Sequence, residues 1–463
     1  MRQPNIVLVV LDTLRKDILS AYGGPVRVSS LEWLGKEGVV FPNPIAPAPW
    51  SLPSHASIFT GKYLIEHGVH ETYELKEEKL KYLMRNVPYE TLPERLRSLG
   101  YNTIGVSAND WIAPGTGFER GFDLLLHVHA FDSVKPIFDE INTITKRLRS
   151  KGILNDPTND PFTAAKQLIK KGRFHELLKL YRLYMKAYRI VTSLGYPEDK
   201  GGNEIIRLLE SSSLNEPFFL FINFMEAHQP YRTDMPKWRL VMYSPLIFPD
   251  LFGYKKIPNS VMRRIRRDYY KEVGILNRYL WRVIAYLKTR GYYDNSLIIV
   301  VGDHGQELKE RGYYGHAIYL HNEIIEVPLI VKFPGGRKIG VRGGYQSLTR
   351  IWDLIINVIE GSYEDVVTTD TAFSEAYGIS HDLRIVLSKY INRPDLNAKR
   401  GLIDCERRAV YKGGYKLVMN YTLNKIEEFS YNGKDIDISD RREIINDLLN
   451  ELKNFTRRGN AYT

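Results

Sequence analysis

Three nearly unbroken apolar runs constrain this chain more than anything else in it: Asn5–Leu11, Pro217–Phe224 and Ser296–Val301. A strand with one wet face alternates polar and apolar side chains. A strand that is apolar at almost every position has both faces covered, which is the condition of a parallel sheet held between layers of helices. Asn102–Ser107 and Val327–Phe333 fit the same sheet, and Gly38–Phe41 is a shorter member. Helical spacing falls between these runs, at Thr91–Leu99 (stopped by Gly100), 203–212, Arg267–Arg290 (ended by Gly291) and 347–359. With a strand near 370–375, the alternation predicts an α/β fold over residues 1–375, a large and mostly parallel central sheet flanked by helices.

Two stretches break the pattern. From about 128 to 202, Lys and Arg are dense and apolar residues recur at helical spacing, notably over 164–169 and 177–190. This basic helical insertion reads as a charged, solvent-facing helical pair, or as a lid or docking surface for an acidic partner. In 376–463, short runs at Ala409–Lys412, Tyr415–Met419 and Ile426–Phe429 are separated by Gly413-Gly414 and by Asn420–Asn424. They predict a small C-terminal antiparallel sheet, and a helix over 441–455 should pack on it.

Composition narrows the function classes. With 463 residues, 43% hydrophobic and 26% charged, a sizeable core is available and wholesale disorder is excluded. The net charge of +11 is either a solvated basic surface or a means of attracting anions. No helix-turn-helix, zinc or aromatic-basic pattern accompanies it, so there is no clear nucleic-acid signature. The single cysteine, Cys405, rules out an intrachain disulfide framework and suits a reducing compartment. The first apolar run is short and is followed by Asp12 without a small-residue cleavage site, so it reads as a strand and not a signal peptide. None of the runs could cross a bilayer as a helix. The expectation is a soluble, cytoplasmic protein with no transmembrane segment.

The apolar runs end in chemically capable residues: Asp12 after the first, His228 shortly after the second, and Asp303-His304 after the third. In open α/β sheets, ligands gather beyond the carboxyl ends of the strands. A Pro-rich loop leads to Pro49-Trp50-Ser51-Leu52-Pro53-Ser54-His55, where Ser51 reads as the N-cap of a helix with Pro53 in its first turn. Such a helix start is electropositive. Two carboxylates and an imidazole make a shell for one divalent metal ion. Near that ion the Ser51 hydroxyl, or an aldehyde hydrate made from it, could attack an ester at neutral pH.

These residues also resemble a family. Asn5–Arg15 resembles the opening strand and first metal ligand of sulfatases in the alkaline phosphatase superfamily. Ser51-Leu52-Pro53-Ser54-His55, closed by Phe59-Thr60-Gly61, is similar to their nucleophile motif, Cys or Ser followed by x-Pro-Ser-Arg and then Thr-Gly. Gly302-Asp303-His304-Gly305 is similar to their second metal motif. Met225–Pro230 resembles the segment that contributes a substrate-facing His. Gly315-His316, followed by Glu326–Ile330, resembles the segment that places a Lys or His near the leaving group.

The resemblance implies an alkaline-phosphatase-like fold and roles for the residues. Asp12, Asp303 and His304 would hold Ca²⁺ or Mg²⁺, or Mn²⁺ or Zn²⁺ in a phosphoesterase. Ser51 would be the nucleophile, and His228 and His316 would bind the transferred group or protonate the departing oxygen. His55, Asn109 and Arg15 would contact substrate. Two departures stand out: Asp12-Thr13 replaces a pair of Asp residues, and His55 stands where the maturation pattern has Arg. They leave two chemistries open. One is a sulfatase using formylglycine at Ser51, made by a maturation enzyme; the other is a phosphate-ester hydrolase or phosphotransferase using the plain hydroxyl. The substrate in either case is an anionic ester such as a sulfated or phosphorylated sugar. A catalytically silent anion-binding protein is the alternative of another class.

Other residues carry plainer expectations. His67 and His70 read as turn or structural residues, and His321 as pointing to solvent. Arg15 could equally serve in a salt bridge behind the site, and Arg263–Arg267 reads as a solvated helix face. The Pro- and aromatic-rich segment 235–262 suits a loop over the site.

Overall fold

The computed structural model describes residues 3–70, 83–128, 135–155, 161–193, 199–231, 258–379, 401–439 and 441–460. The central sheet has seven strands: β1 (Asn5–Leu11), β2 (Val39–Val40), β3 (Asn102–Ser107), β4 (Leu124–His127), β5 (Phe218–Phe224), β6 (Ser296–Gly302) and β7 (Leu329–Lys332). Their spatial order is β2-β7-β6-β1-β5-β3-β4. Only β7 runs against its neighbours, β6 and β2. Every residue of β1, β5 and β6 is buried, as uninterrupted apolar runs require.

The two faces of the sheet feed two cores. Ile6, Leu8 and Val10 of β1 point into one, and Val7, Val9 and Leu11 into the other. The helices that cover these faces include α1 (Ser29–Glu37), α2 (Ser51–Thr60), α6 (Gly202–Glu210), α7 (Asn259–Thr289) and α8 (Ile351–Ile359). The basic insertion folds as α3 (Lys135–Ser150), α4 (Pro161–Lys170) and α5 (Phe174–Ser193) around a small core of its own. A second sheet of five antiparallel strands follows, with α9 (Arg442–Asn460) packed on it: β8 (Thr371–Tyr377), β9 (Glu406–Lys412), β10 (Tyr415–Asn420), β11 (Lys425–Tyr431) and β12 (Lys434–Asp435).

Two expectations change here. The strand anticipated near 370–375 does not complete the central alternation; as β8 it pairs with β9 at the edge of the second sheet. Helix α7 begins at Asn259, eight residues before the Arg267 start that periodicity suggests. Its buried stripe includes Met262 and Ile265 but then takes Asp268 and Glu272 inward, which breaks the apolar spacing. Most of the expected site-covering loop 235–262, namely 235–257, lies outside the described residues.

The register positions the site. Leu11 of β1 pairs with Phe224 of β5 on one side and with Gly302 of β6 on the other. The residues that leave β1 and β6 next, Asp12 and Asp303, therefore emerge side by side at the carboxyl edge of the sheet. Gly305 lets the chain pass close beneath the 322–325 helical turn. Its N–H donates to the Ile324 carbonyl at 2.6 Å, and a Cβ there would meet the Glu323 carbonyl oxygen at 2.2 Å.

Candidate active site

Ser51 is the first residue of α2 and not its cap; the capping position is Trp50. The side chain is thereby released from capping and reaches across the sheet edge. Its hydroxyl donates to Asp12 Oδ2 at 2.9 Å and lies 3.2 Å from His304 Nε2. His304 Nδ1 sits 2.9 Å from the Gly305 carbonyl, which can only accept. That nitrogen therefore carries the hydrogen, and Nε2 keeps its lone pair toward Ser51. The lone serine proton thus has two acceptors in reach. The oxygen also sits at the positive end of a ten-residue helix, a suitable place for developing negative charge.

Ligand atoms of Asp12, Asp303 and His304 lie within 4.8 Å of one another, and all three residues are fully buried. Asp303 Oδ1 accepts from the Thr13 and His304 N–H groups, at 3.1 and 2.8 Å. Among the described residues its Oδ2 finds no hydrogen-bond donor; His55 Nδ1 and His304 Nε2 stand at 3.5 and 3.6 Å. An unpartnered carboxylate oxygen in a dry site, beside a second carboxylate, is an arrangement that a cation relieves. The donor set fits a divalent ion. Thr13, which replaces a second Asp, joins the two acids: its N–H donates to Asp303 and its hydroxyl to Asp12 at 2.6 Å. It does so from a left-handed backbone, φ 62°, a strained conformation for a β-branched residue.

The electrostatics follow from this crowding. Burial alone would raise Asp12, but His228, His304, the Thr13 hydroxyl and His55 outweigh it and hold the carboxyl well below the usual range. Burial and then the Asp12 charge push Asp303 far above that range. Near neutral pH the metal-free pair therefore shares one proton, with Asp303 the more basic member. Burial lowers the imidazoles of His228 and His304. It lowers His316 further, helped by His304 and His228.

The remaining predicted residues divide. The His316 ring lies 4.6 Å from that of His304 and 5.2 Å from that of His228, so the three imidazoles form one row at the half-open rim. Asn109 reaches the cluster, donating from Nδ2 to Asp12 Oδ2 at 2.8 Å. His55 lies behind the nucleophile, sealed from solvent. Its Nδ1 is 2.9 Å from the Ser51 carbonyl, and its ring meets Phe118 and Phe221 edge-on. Arg15 is buried against Asp17, Glu310 and the Gln306 carbonyl, the arrangement of a salt bridge behind the site.

His67 is structural as expected: burial drops it to about 3, and it contacts the Ser57 hydroxyl. His321 corrects its expectation of pointing to solvent, because it pairs with the buried Glu307 carboxylate.

Gln306 joins the site without a motif to mark it. Its Oε1 accepts from His316 Nδ1 at 2.6 Å, and its Nε2 donates to Gln229 Oε1 at 3.2 Å, joining the two histidine-bearing loops. Asn223 is a second residue that no motif marks, and its Nδ2 stands 3.3 Å from His55 Nε2. Asn223 did have a signal, an amide inside the otherwise apolar run 217–224. Gln306 had only its place one residue after Gly305.

A sulfatase family model matches residues 4–352. An N-acetylglucosamine-6-O-sulfatase of Bacteroides thetaiotaomicron is 24% identical over 379 residues, which cover 73% of this chain and 64% of that relative. The chain thus spans less than two thirds of that relative's length. Among solved structures, a phosphonate monoester hydrolase of Agrobacterium radiobacter has a TM-score of 0.63 at 17% identity, with 99% of this chain and 96% of that one covered. A 2-O GAG sulfatase has a TM-score of 0.62 at 16% identity, with 99% and 93% covered. At such identities the structural likeness is one of fold, the alkaline-phosphatase-like architecture. The family-model match spans three quarters of the chain, and the chain belongs to the sulfatase family.

Proposed function

We propose that this protein hydrolyses sulfate esters, with Ser51 as the attacking residue. The observation that carries the reading is the Ser51 oxygen, held at a helix N-terminus between Asp12 and His304 beside an unpartnered Asp303 oxygen. Asp12, Asp303 and His304 would hold one divalent ion, Ca²⁺ or Mg²⁺ favoured. Bound there, the ion would supply positive charge to the ester oxygens and acidify the nucleophile. The Ser51 oxygen attacks the ester's central atom and its proton passes to solvent, since the ion would occupy His304 Nε2 and Asp12; water then releases the transferred group from Ser51. An incoming anionic ester raises the neighbouring imidazoles, since negative charge favours their cationic form. Charged His316 then offers its Nε2–H to the departing oxygen, while Gln306 holds Nδ1. The B. thetaiotaomicron relative's name supports a sulfated sugar as substrate, and the single cysteine supports a cytosolic setting.

A second reading has its own observation. His55 fills the motif's Arg position as a sealed ring that contacts the Ser51 backbone, and the Ser51 hydroxyl already has acceptors for its proton. Unmodified Ser51 would then act on a phosphate or phosphonate ester, with Mn²⁺ or Zn²⁺ as suitable ions. Mass spectrometry of the peptide carrying Ser51, with a panel of aryl sulfates, phosphate monoesters and diesters, separates the two. Formylglycine and aryl sulfate turnover support the first reading. An intact serine with phosphoester turnover replaces it with the second.

The His316 role has a separate test. Gln306→Leu removes the acceptor from Nδ1, and it should lower kcat about tenfold for good leaving groups and about 10²-fold for poor ones. A loss that does not grow with leaving-group pKa would remove His316 from proton donation.

A further inference from the structure

The basic insertion carries a surface that the site chemistry does not use. Helices α3, α4 and α5 close their own core around residues such as Ile141, Leu168 and Leu180. They leave large apolar side chains outside it. Phe174 is 63% exposed, Tyr181 59%, Ile169 55% and Leu178 48%. At the helical angle, positions 174, 178 and 181 fall on one stripe of α5. Ile169 joins them from the end of α4, across the turn at Gly172.

Charge frames the stripe. Arg182 and Lys186 lie along one of its edges, and Lys166, Lys170 and Lys171 surround Ile169, all exposed. Between 135 and 193 there are thirteen Lys and Arg against five Asp and Glu, a net +8 out of the chain's +11. This is the composition of a helix that lies in the plane of a membrane surface, apolar face down and cations toward phosphate.

We propose that the α5 stripe, with Ile169, docks this protein on an anionic lipid bilayer. A soluble polyanion would satisfy the cations and offer nothing to Phe174, Leu178 and Ile169. A lipid interface satisfies both, through anionic headgroups and the upper acyl region. A second copy of the chain would bring one basic stripe against another. The contact is peripheral, because no helix among the described residues is long and apolar enough to cross a membrane.

The test is flotation of the full-length protein with phosphatidylcholine vesicles, with and without phosphatidylglycerol. Binding should require phosphatidylglycerol and weaken as salt rises. The triple variant Phe174→Ser, Leu178→Ser, Tyr181→Ser should lower partitioning about tenfold or more. Arg182→Glu with Lys186→Glu should do the same. Both variants alter exposed residues and should keep the wild-type far-UV circular dichroism. Failure of the wild type to float with anionic vesicles overturns the proposal. So does vesicle binding that the apolar variant leaves unchanged while heparin competes fully, which would mark a polyanion site. A wild-type dimer in sedimentation that the apolar variant dissociates would assign the stripe to self-association and overturn it too.

Discussion

Replacing Ser51 with Ala is expected to lower kcat by roughly 10⁴–10⁶-fold on whichever ester the protein turns over best, with KM little changed. The argument rests on position. Ser51 is 5% exposed, and its oxygen is held by Asp12 and faces His304 Nε2. No neighbouring hydroxyl among the described residues could stand in. Thr13 donates to Asp12 and Ser54 donates to the Asp303 carbonyl at 2.7 Å, so both bind the scaffold of the site. The fold should survive, because Ala is a good helix former and the lost hydrogen bond contributes about 1 kcal/mol. Steady-state kinetics with a thermal melt checks both halves. An activity loss below about tenfold, with the melt unchanged, would mean that Ser51 is not the attacking group.

The parts of this site that were legible in the sequence are those fixed by strand register. An all-apolar strand has one place in an α/β sheet, and the residue that leaves it must stand at the rim. Asp12 and Asp303 could be placed together for that reason, and Ser51 could be brought to them by its loop. What was not legible depends on side-chain direction. His55 looks like a site residue by its position in the motif. One helical turn after Ser51, however, it points back under the helix toward Asn223 and the apolar core. Arg15 looks like an anion contact until Asp17 and Glu310 take its guanidinium from either side. Gln306 gives no periodic or compositional signal, since its role is only to meet two loops that the sheet brings together.

The same distinction applies to the elements. Strand β8 has the composition of a central strand, but its partner β9 lies about thirty residues further along the chain, and local patterning holds no record of that pairing. The early start of α7 is marked by only two buried residues, Met262 and Ile265, in its first eight, too few to set a period. For β8 a long-range contact overrode a local preference.

Asp303→Asn should split stability from metal binding in opposite directions. In the metal-free protein, burial and the charge of Asp12 push the Asp303 carboxyl up to about 8 from an unfolded value near 3.8. A carboxyl raised in this way favours the folded state fully only below about pH 4. Between there and pH 8 the folded protein must hold a proton that the unfolded chain has released, so stability falls as pH rises through that window. Asn is neutral at every pH and can keep the acceptor that Thr13 and His304 use. The metal-free variant should therefore be more stable than wild type at pH 7.5, by on the order of 2 kcal/mol, and should lack the decline with pH. Its affinity for a divalent ion should fall about 10²-fold or more, since even partners behind the ligands are worth 10–100-fold. Wild type should release close to one proton for each ion bound at pH 7, and the variant none. Calorimetry in buffers of different ionisation enthalpy, with melts in chelator across pH 5–8, measures both effects. A variant that melts below wild type in chelator at pH 7.5, or that binds the ion as tightly, would show that the two carboxylates do not share a proton over a cation site.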